Sequence, residues 1–273
     1  MRKARIIGLG IAAAVVAGAI YQLPARLSQQ DQPRLTAAST PTTAPVAKGK
    51  NPPAGRGGTD IRITTTPRNK RPLDSRITFP VRGSAEYDVL PGDPTTIGTA
   101  GPLLRFRVVV ERGIKGVDKA ELGRFIRATY ADPRGWTGGG KRRLQHVGEG
   151  ESFDYVLMLV TPATRDAICG HGYDRYTSCR IGDRVVLNVA RWANGVPDYG
   201  ASLTAYRQYM INHESGHRFG NGHELCPAPG APAPVMEQQT LGLHGCTANA
   251  WPYLNGERYR GRPGQYDDPT PTT

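Results

Sequence analysis

Large apolar residues are spread unevenly along the chain, and their spacing marks where structure is to be expected. An uncharged, mostly apolar run from Ile6 to Tyr21 follows a basic start of Arg2, Lys3 and Arg5. From about Ser28 to Ser75 large apolar side chains almost vanish among Thr, Pro, Ala, Gly, Lys and Arg. Such a stretch buries too little surface to offset its conformational entropy, and a disordered linker is expected. The pattern resumes near Arg76 and runs to about Tyr266, long enough for one real core.

Within that segment RITFPVRGSAEYDVLPG reads as short strands with turns, and LLRFRVVVERG (Leu103–Gly113), rich in β-branched residues, as a longer strand. VDKAELGRFIRATYAD (Val117–Asp132) spaces Leu122, Phe125, Ile126 and Thr129 for a helix, with Asp118 as its cap and Pro133 closing it. GWTGGGKRRLQH is expected as a glycine-rich loop whose basic cluster, Lys141–Arg143, is either solvated or a site for phosphate or an acidic substrate. DYVLMLVTP (Asp154–Pro162) and RVVLNVARW (Arg184–Trp192) read as strands, the second as a candidate edge strand over Arg184–Val189 or else a buried central one. A long helix, SLTAYRQYMINHESGHRFG (Ser202–Gly220), follows. The succession predicts an α/β (α+β) fold with a mixed twisted sheet.

Composition and charge sharpen this division. Hydrophobic residues make up only 38% of the 273, while Gly and Pro number 34 and 23, so part of the chain lies outside any core. The net charge of +12 sits mostly at the front: residues 1–75 hold 12 Lys/Arg against 3 Asp/Glu, residues 76–273 hold 23 against 20. A basic tether suits an anionic membrane or cell-wall surface, or is plain solubilising charge. The near-neutral folded part argues against a nucleic-acid partner. Residues 1–27 have the form of a signal peptide, with Ala17-Gly18-Ala19 as a cleavage site, or of a retained anchor. In either case the body is expected outside the cytoplasm, as linker (28–75), folded domain (76–266) and disordered tail (267–273).

All four cysteines lie in the folded part. An even number in an exported chain points to disulfides, and nearest neighbours give Cys169–Cys179 and Cys226–Cys246. The rival reading, structural zinc ligation, lacks any C-x-x-C pair.

The chemistry is concentrated in INHESGHRFGNGHELC (Ile211–Cys226). Tyr206, Met210, His213 and His217 recur at four, three and four residues, one helix face that is apolar first and imidazole after. His213 and His217, one turn apart, can aim at one ion. Glu214 is turned by about 100° from His213, beside the ligands rather than among them, where a general base belongs. Gly220 suits a helix-ending bend with positive φ that returns His223 as third ligand. Three protein ligands leave one tetrahedral position open, the mark of catalytic zinc. His171 and His244 read as loop residues.

HESGHRFGNGH resembles the metzincin zinc-peptidase signature H-E-x-x-H-x-x-G-x-x-H at every defined position. The resemblance implies a zincin-like fold, with the active-site helix followed by a small irregular C-terminal subdomain. It also implies a Zn2+ cofactor, a peptide or protein substrate, and a turn methionine beneath the metal, for which Met236 in PAPVMEQQT is placed. The arrangement of short anchor, Pro/Thr linker and this domain also resembles an uncharacterised family of exported actinobacterial proteins. Glu224 directly after the third histidine is similar to astacin-like peptidases, yet Gln238 stands where those and the serralysins carry a tyrosine. The expected activity is an exported zinc endopeptidase with Glu214 as base. The competing readings are a non-catalytic envelope protein stabilised by zinc, and a hydrolase of cell-wall peptides.

Overall fold

A computed structural model of the chain describes residues 77–170 and 174–271. The expected signal or anchor, the linker, and His171 lie outside the described residues.

The fold is mixed α/β. Seven strands form one sheet: β1 (Tyr87–Val89), β2 (Asp93–Ile97), β3 (Leu103–Glu111), β4 (Arg143–Val147), β5 (Tyr155–Val160), β6 (Cys179–Ile181) and β7 (Arg184–Asn188). Their order is β2-β4-β3-β5-β7-β6, with β1 paired to the far end of β3. The central strands β4, β3, β5 and β7 are parallel, while β1, β2 and β6 join antiparallel. Parallel central strands are covered on both faces, which explains the continuous apolar runs VVV and LMLV. Phe106, Val108, Val110, Leu157, Leu159, Val185 and Leu187 point into the main core, and the alternate Val109, Met158, Val160 and Val186 into a smaller one on the other face.

Helix α1 (Lys119–Ala131) starts at Asp118, whose carboxylate accepts from Glu121 N–H at 2.9 Å, and ends before Pro133. The segment expected as a basic loop is partly strand, since Arg143 already belongs to β4. Helix α2 (Pro162–Cys169) escaped the sequence reading; Pro162 is preset for a first turn, and Gly170 ends it with φ 72°. The expected strand Arg184–Trp192 stops at Asn188. Its side chain accepts from Ala190 N–H and so caps a short helix, α3 (Val189–Asn194). Nor is this strand the edge: β7 lies between β5 and β6, because the chain from Cys179 turns back in a hairpin and covers it.

Helix α4 (Leu203–Arg218) begins at Ser202, which accepts from Ala205 N–H, and packs against α1, α3, β6 and β7. From Tyr209 to Gly216 it is buried on all sides rather than on one face. Several of its polar groups are tied up, Glu214 Oε2 and Asn212 Oδ1 excepted. Ser215 bonds Tyr130 Oη at 2.7 Å, and Asn212 Nδ2 donates to Ala250 O at 2.9 Å. Beyond α4 the chain has little regular structure: a two-residue hairpin, β8 (Tyr253–Leu254) with β9 (Glu257–Arg258), and turns. Both expected disulfides are present, Cys169–Cys179 and Cys226–Cys246. They point to an oxidising, extracytoplasmic environment. Among the described residues no helix is long and apolar enough to cross a membrane.

Candidate metal centre

The end of α4 is shaped by its C-terminal residues. Gly220 has φ 85°, its N–H donates to His217 O, and Asn221 N–H donates to Gly216 O, the paired bonds of a Schellman motif. The bend turns the chain back, and His223 returns to the helix.

His217 Nε2 lies 3.2 Å from His213 Nε2 and 3.1 Å from His223 Nε2. The outer nitrogens are all occupied. His213 Nδ1 bonds Val235 O, His217 Nδ1 bonds Asn221 O and His223 Nδ1 bonds Gln265 Oε1, each at 2.9 Å. A carbonyl only accepts, so the first two rings carry their proton on Nδ1, and their Nε2 lone pairs face each other. Converging lone pairs repel unless a cation lies among them. Nitrogens about 2.0–2.1 Å from a tetrahedral zinc stand roughly 3.3–3.4 Å apart, close to the spacing here. The donor set thus fits zinc. Burial holds all three imidazoles below their usual pKa, His217 at about 4, helped for His213 and His217 by the neighbouring rings. They are neutral near pH 7, the form in which an imidazole can ligate a metal.

Glu214 is 5% exposed, its Oε2 has no partner, and burial raises its carboxyl to about 8 against the charges of Arg165 and Arg180. It lines the same cavity of about 530 Å³ as the three histidines. One wall of that cavity is Thr177–Arg180, entering the edge strand β6; another is the C-terminal segment with Gln265, Asp267 and Asp268. Arg165 beneath it is neutralised by Asp166 and Asp174. Arg180 is exposed, with no ion pair among the described residues.

Met236 is fully buried directly against Gly216 of α4. It sits in a turn in which Glu237 N–H donates to Pro234 O, and its own carbonyl accepts from Glu224 N–H. Val235, one residue earlier, supplies the carbonyl that orients His213. The Cys226–Cys246 bridge closes the loop holding this turn. Glu224 points away from the cavity, pairing with Arg258 at 3.1 Å. Gln238 lines the cavity, its Oε1 without a partner. His244 is no member of the cluster: its Nε2 bonds Asp268 at 2.9 Å and its ring stacks on Tyr266. Residues 267–271, within the expected tail, run beside the site.

The family described as "Protein of unknown function (DUF3152)" matches residues 73–251, well over half of the chain. The chain belongs to the DUF3152 family. No curated protein and no solved structure matches it. The matched segment of this DUF3152 protein holds the three histidines, Glu214, Met236 and all four cysteines, and ends before Gln265.

Sequence reasoning brought together His213, His217, His223, Glu214, Gly220 and Met236 as the structure does. It missed the groups that hold them: Val235 O, Asn221 O, Gln265 and Trp136, whose Nε1–H donates to Asn212 O at 2.7 Å. Asn221 alone had a local signal, as the residue after the helix-ending glycine. The others arrive from distant segments.

Proposed function

We propose that the domain is a zincin-like, exported zinc-dependent endopeptidase, secreted or membrane-anchored. One observation carries this reading: three imidazole Nε2 atoms converge beside a buried carboxyl group whose Oε2 is left without a partner. His213, His217 and His223 would hold the ion, with Val235 O, Asn221 O and Gln265 keeping their lone pairs inward. When bound, zinc supplies a Lewis acid that polarises the scissile carbonyl and lowers the pKa of a water toward about 7. Burial alone raises the Glu214 carboxyl to about 8, and the positive charge of a bound ion would favour its carboxylate form. In that form it would take the proton of the attacking water and deliver it to the leaving amine, help typically worth about 10²–10⁴-fold. A purely structural site has no use for an acid held there at the cost of burying it.

The substrate is an extended peptide. The outer edge of β6 is free of any strand partner among the described residues, borders the cavity and can receive another strand through backbone hydrogen bonds. Arg180 on that strand and Gln238, both lining the cavity, are polar groups that could stabilise a developing oxyanion where the peptidases that the motif resembles use a tyrosine.

The test compares the full chain with Glu214→Gln for zinc content and cleavage of a peptide library. Zinc retained with cleavage reduced at least about 100-fold is expected. Unchanged cleavage in the variant overturns the mechanism. Zinc bound by a wild-type chain that cuts neither peptide nor cell-wall cross-link favours a stabilising metal in a binding protein.

A further inference from the structure

The three metal-facing imidazoles are not held alike. His213 and His217 donate from Nδ1 to main-chain carbonyls, of Val235 and Asn221. His223 bonds a side chain, Gln265 Oε1 at 2.9 Å, 42 residues further along. A carbonyl dictates one tautomer. A glutamine amide offers a carbonyl and an NH2, so it dictates one only if its carbonyl is turned to the ring.

The chain around Gln265 is arranged to deliver that carbonyl. Glu224 and Pro263 form an antiparallel bridge, Leu225 N–H donates to Arg262 O at 2.8 Å, and Gly264 N–H donates to His223 O at 3.1 Å. The arm thus runs back along the residues leaving the third histidine and reaches its ring one residue later. Beyond it a clasp on a different loop holds the arm: Tyr266 stacks on His244 with ring centroids 3.5 Å apart, and Asp268 bonds His244 Nε2. Nothing else in the described chain contacts His223 Nδ1 with a hydrogen bond. Gln265 itself is exposed, so packing does not account for the contact.

We propose that Gln265 is a positioning residue for the metal: its carbonyl holds His223 in the Nδ1–H tautomer with the Nε2 lone pair aimed at the ion, which makes the arm 262–268 a working part of the site. The inference rests on the zinc reading above. It carries that reading past the matched family segment, which stops at residue 251. The ligand set of the histidine motif is complete in itself, yet one of its three members takes its orientation from a segment that the motif does not contain.

Two variants of the full chain separate this role from a surface contact. Gln265→Leu removes the acceptor; Gln265→Glu keeps an acceptor and removes the donor. Zinc affinity is read by competition with a chelator, and the His223 tautomer by ring 15N shifts in the metal-free protein. Removing such an outer partner typically costs about 10–100-fold in metal affinity, and an exposed site, where water can substitute, belongs near the lower figure. Gln265→Leu is expected to bind zinc about 10-fold more weakly and to show His223 in mixed tautomers, while Gln265→Glu binds at least as tightly as wild type in the Nδ1–H form. Equal affinity and an unchanged tautomer in Gln265→Leu overturn the proposal while leaving the zinc reading intact. A wild-type chain that binds no zinc removes the zinc reading itself, and the tautomer measurement then decides whether Gln265 still orients the ring.

Discussion

Met236 Sδ occupies the space directly over the Cα of Gly216, so that a methyl group there would overlap the sulfur and come within 2.7 Å of Trp136 Cζ2. Gly216 stands between His213 and His217 of α4, and the turn methionine touches the helix at that one bare position. A position that the histidine motif leaves free is thereby occupied for a packing reason. Gly216→Ala is expected to destabilise the fold by about 1–3 kcal/mol, the usual cost of overpacking. Denaturant unfolding of Gly216→Ala, Met236→Ala and the double variant reads it. A coupling of opposite sign in the double variant, where the sulfur is gone, identifies the clash; strict additivity rejects it.

The bridge behind the turn should matter to the metal as well as to the fold. Cys226 and Cys246 are 20 residues apart and enclose Val235, Met236 and the carbonyl that holds His213. Cys226→Ser with Cys246→Ser is expected to lose roughly 3 kcal/mol by the loop-closure argument. Zinc should also be held more weakly, since Val235 O is no longer fixed. The Cys169–Cys179 pair borders the cavity at Cys179 but encloses none of the groups that bond the histidines, and its loss should affect stability rather than zinc affinity. Equal zinc affinity after removal of either bridge would contradict this division.

A stability change with pH is written into β4. His146 is 2% exposed, stacks on Phe106 with centroids 5.0 Å apart, and has no partner at Nε2. Burial, aided by Arg127, lowers its pKa from 6.5 to about 4. The unfolded chain therefore takes up the proton first. The contribution to stability is complete above pH 6.5, declines as pH falls toward about 4, and is constant below. Over that window it amounts to roughly 3 kcal/mol. His146→Gln, which does not titrate, should lose less melting temperature than wild type between pH 7 and pH 5; parallel losses would show that His146 is not the cause.

On the edge strand, Arg180 faces the cavity with its charge felt by both Glu214 and His217. If it stabilises charge that develops only during attack, Arg180→Ala should lower kcat on the order of 100-fold with little change in KM. Arg180→Lys should recover part of the loss. A change in KM alone would instead assign Arg180 to substrate binding.

How much was legible beforehand depended on distance along the chain. The caps Asp118 and Ser202 and the bend at Gly220 were readable because each acts within four residues of itself. Helix α2 and the early end of β7 were hidden, since TPATRDAIC is short and weakly patterned, and Asn188 ends a run that is otherwise apolar and β-branched. The full burial of α4 from Tyr209 to Gly216 was invisible too. A helix that looks two-faced in sequence becomes buried all round once Trp136, Tyr130 and Met236 arrive to cover it.

The sequence by itself determined that three histidines, an acid and a helix-ending bend share one short stretch, and it suggested the pairing of neighbouring cysteines. The histidine stretch follows from spacing, where the helical period and a single glycine leave few geometries, and the cysteine pairs from their nearness along the chain. Only the tertiary structure decided what holds those donors in place: Val235 O from the methionine turn, Gln265 from the C-terminal arm, Trp136 against the helix backbone, and β6 rather than β7 as the open edge. These partners come from 22, 42 and 76 residues away. A hydrogen bond across such separations leaves no period in the sequence, because it exists only after the sheet and helix have been packed together.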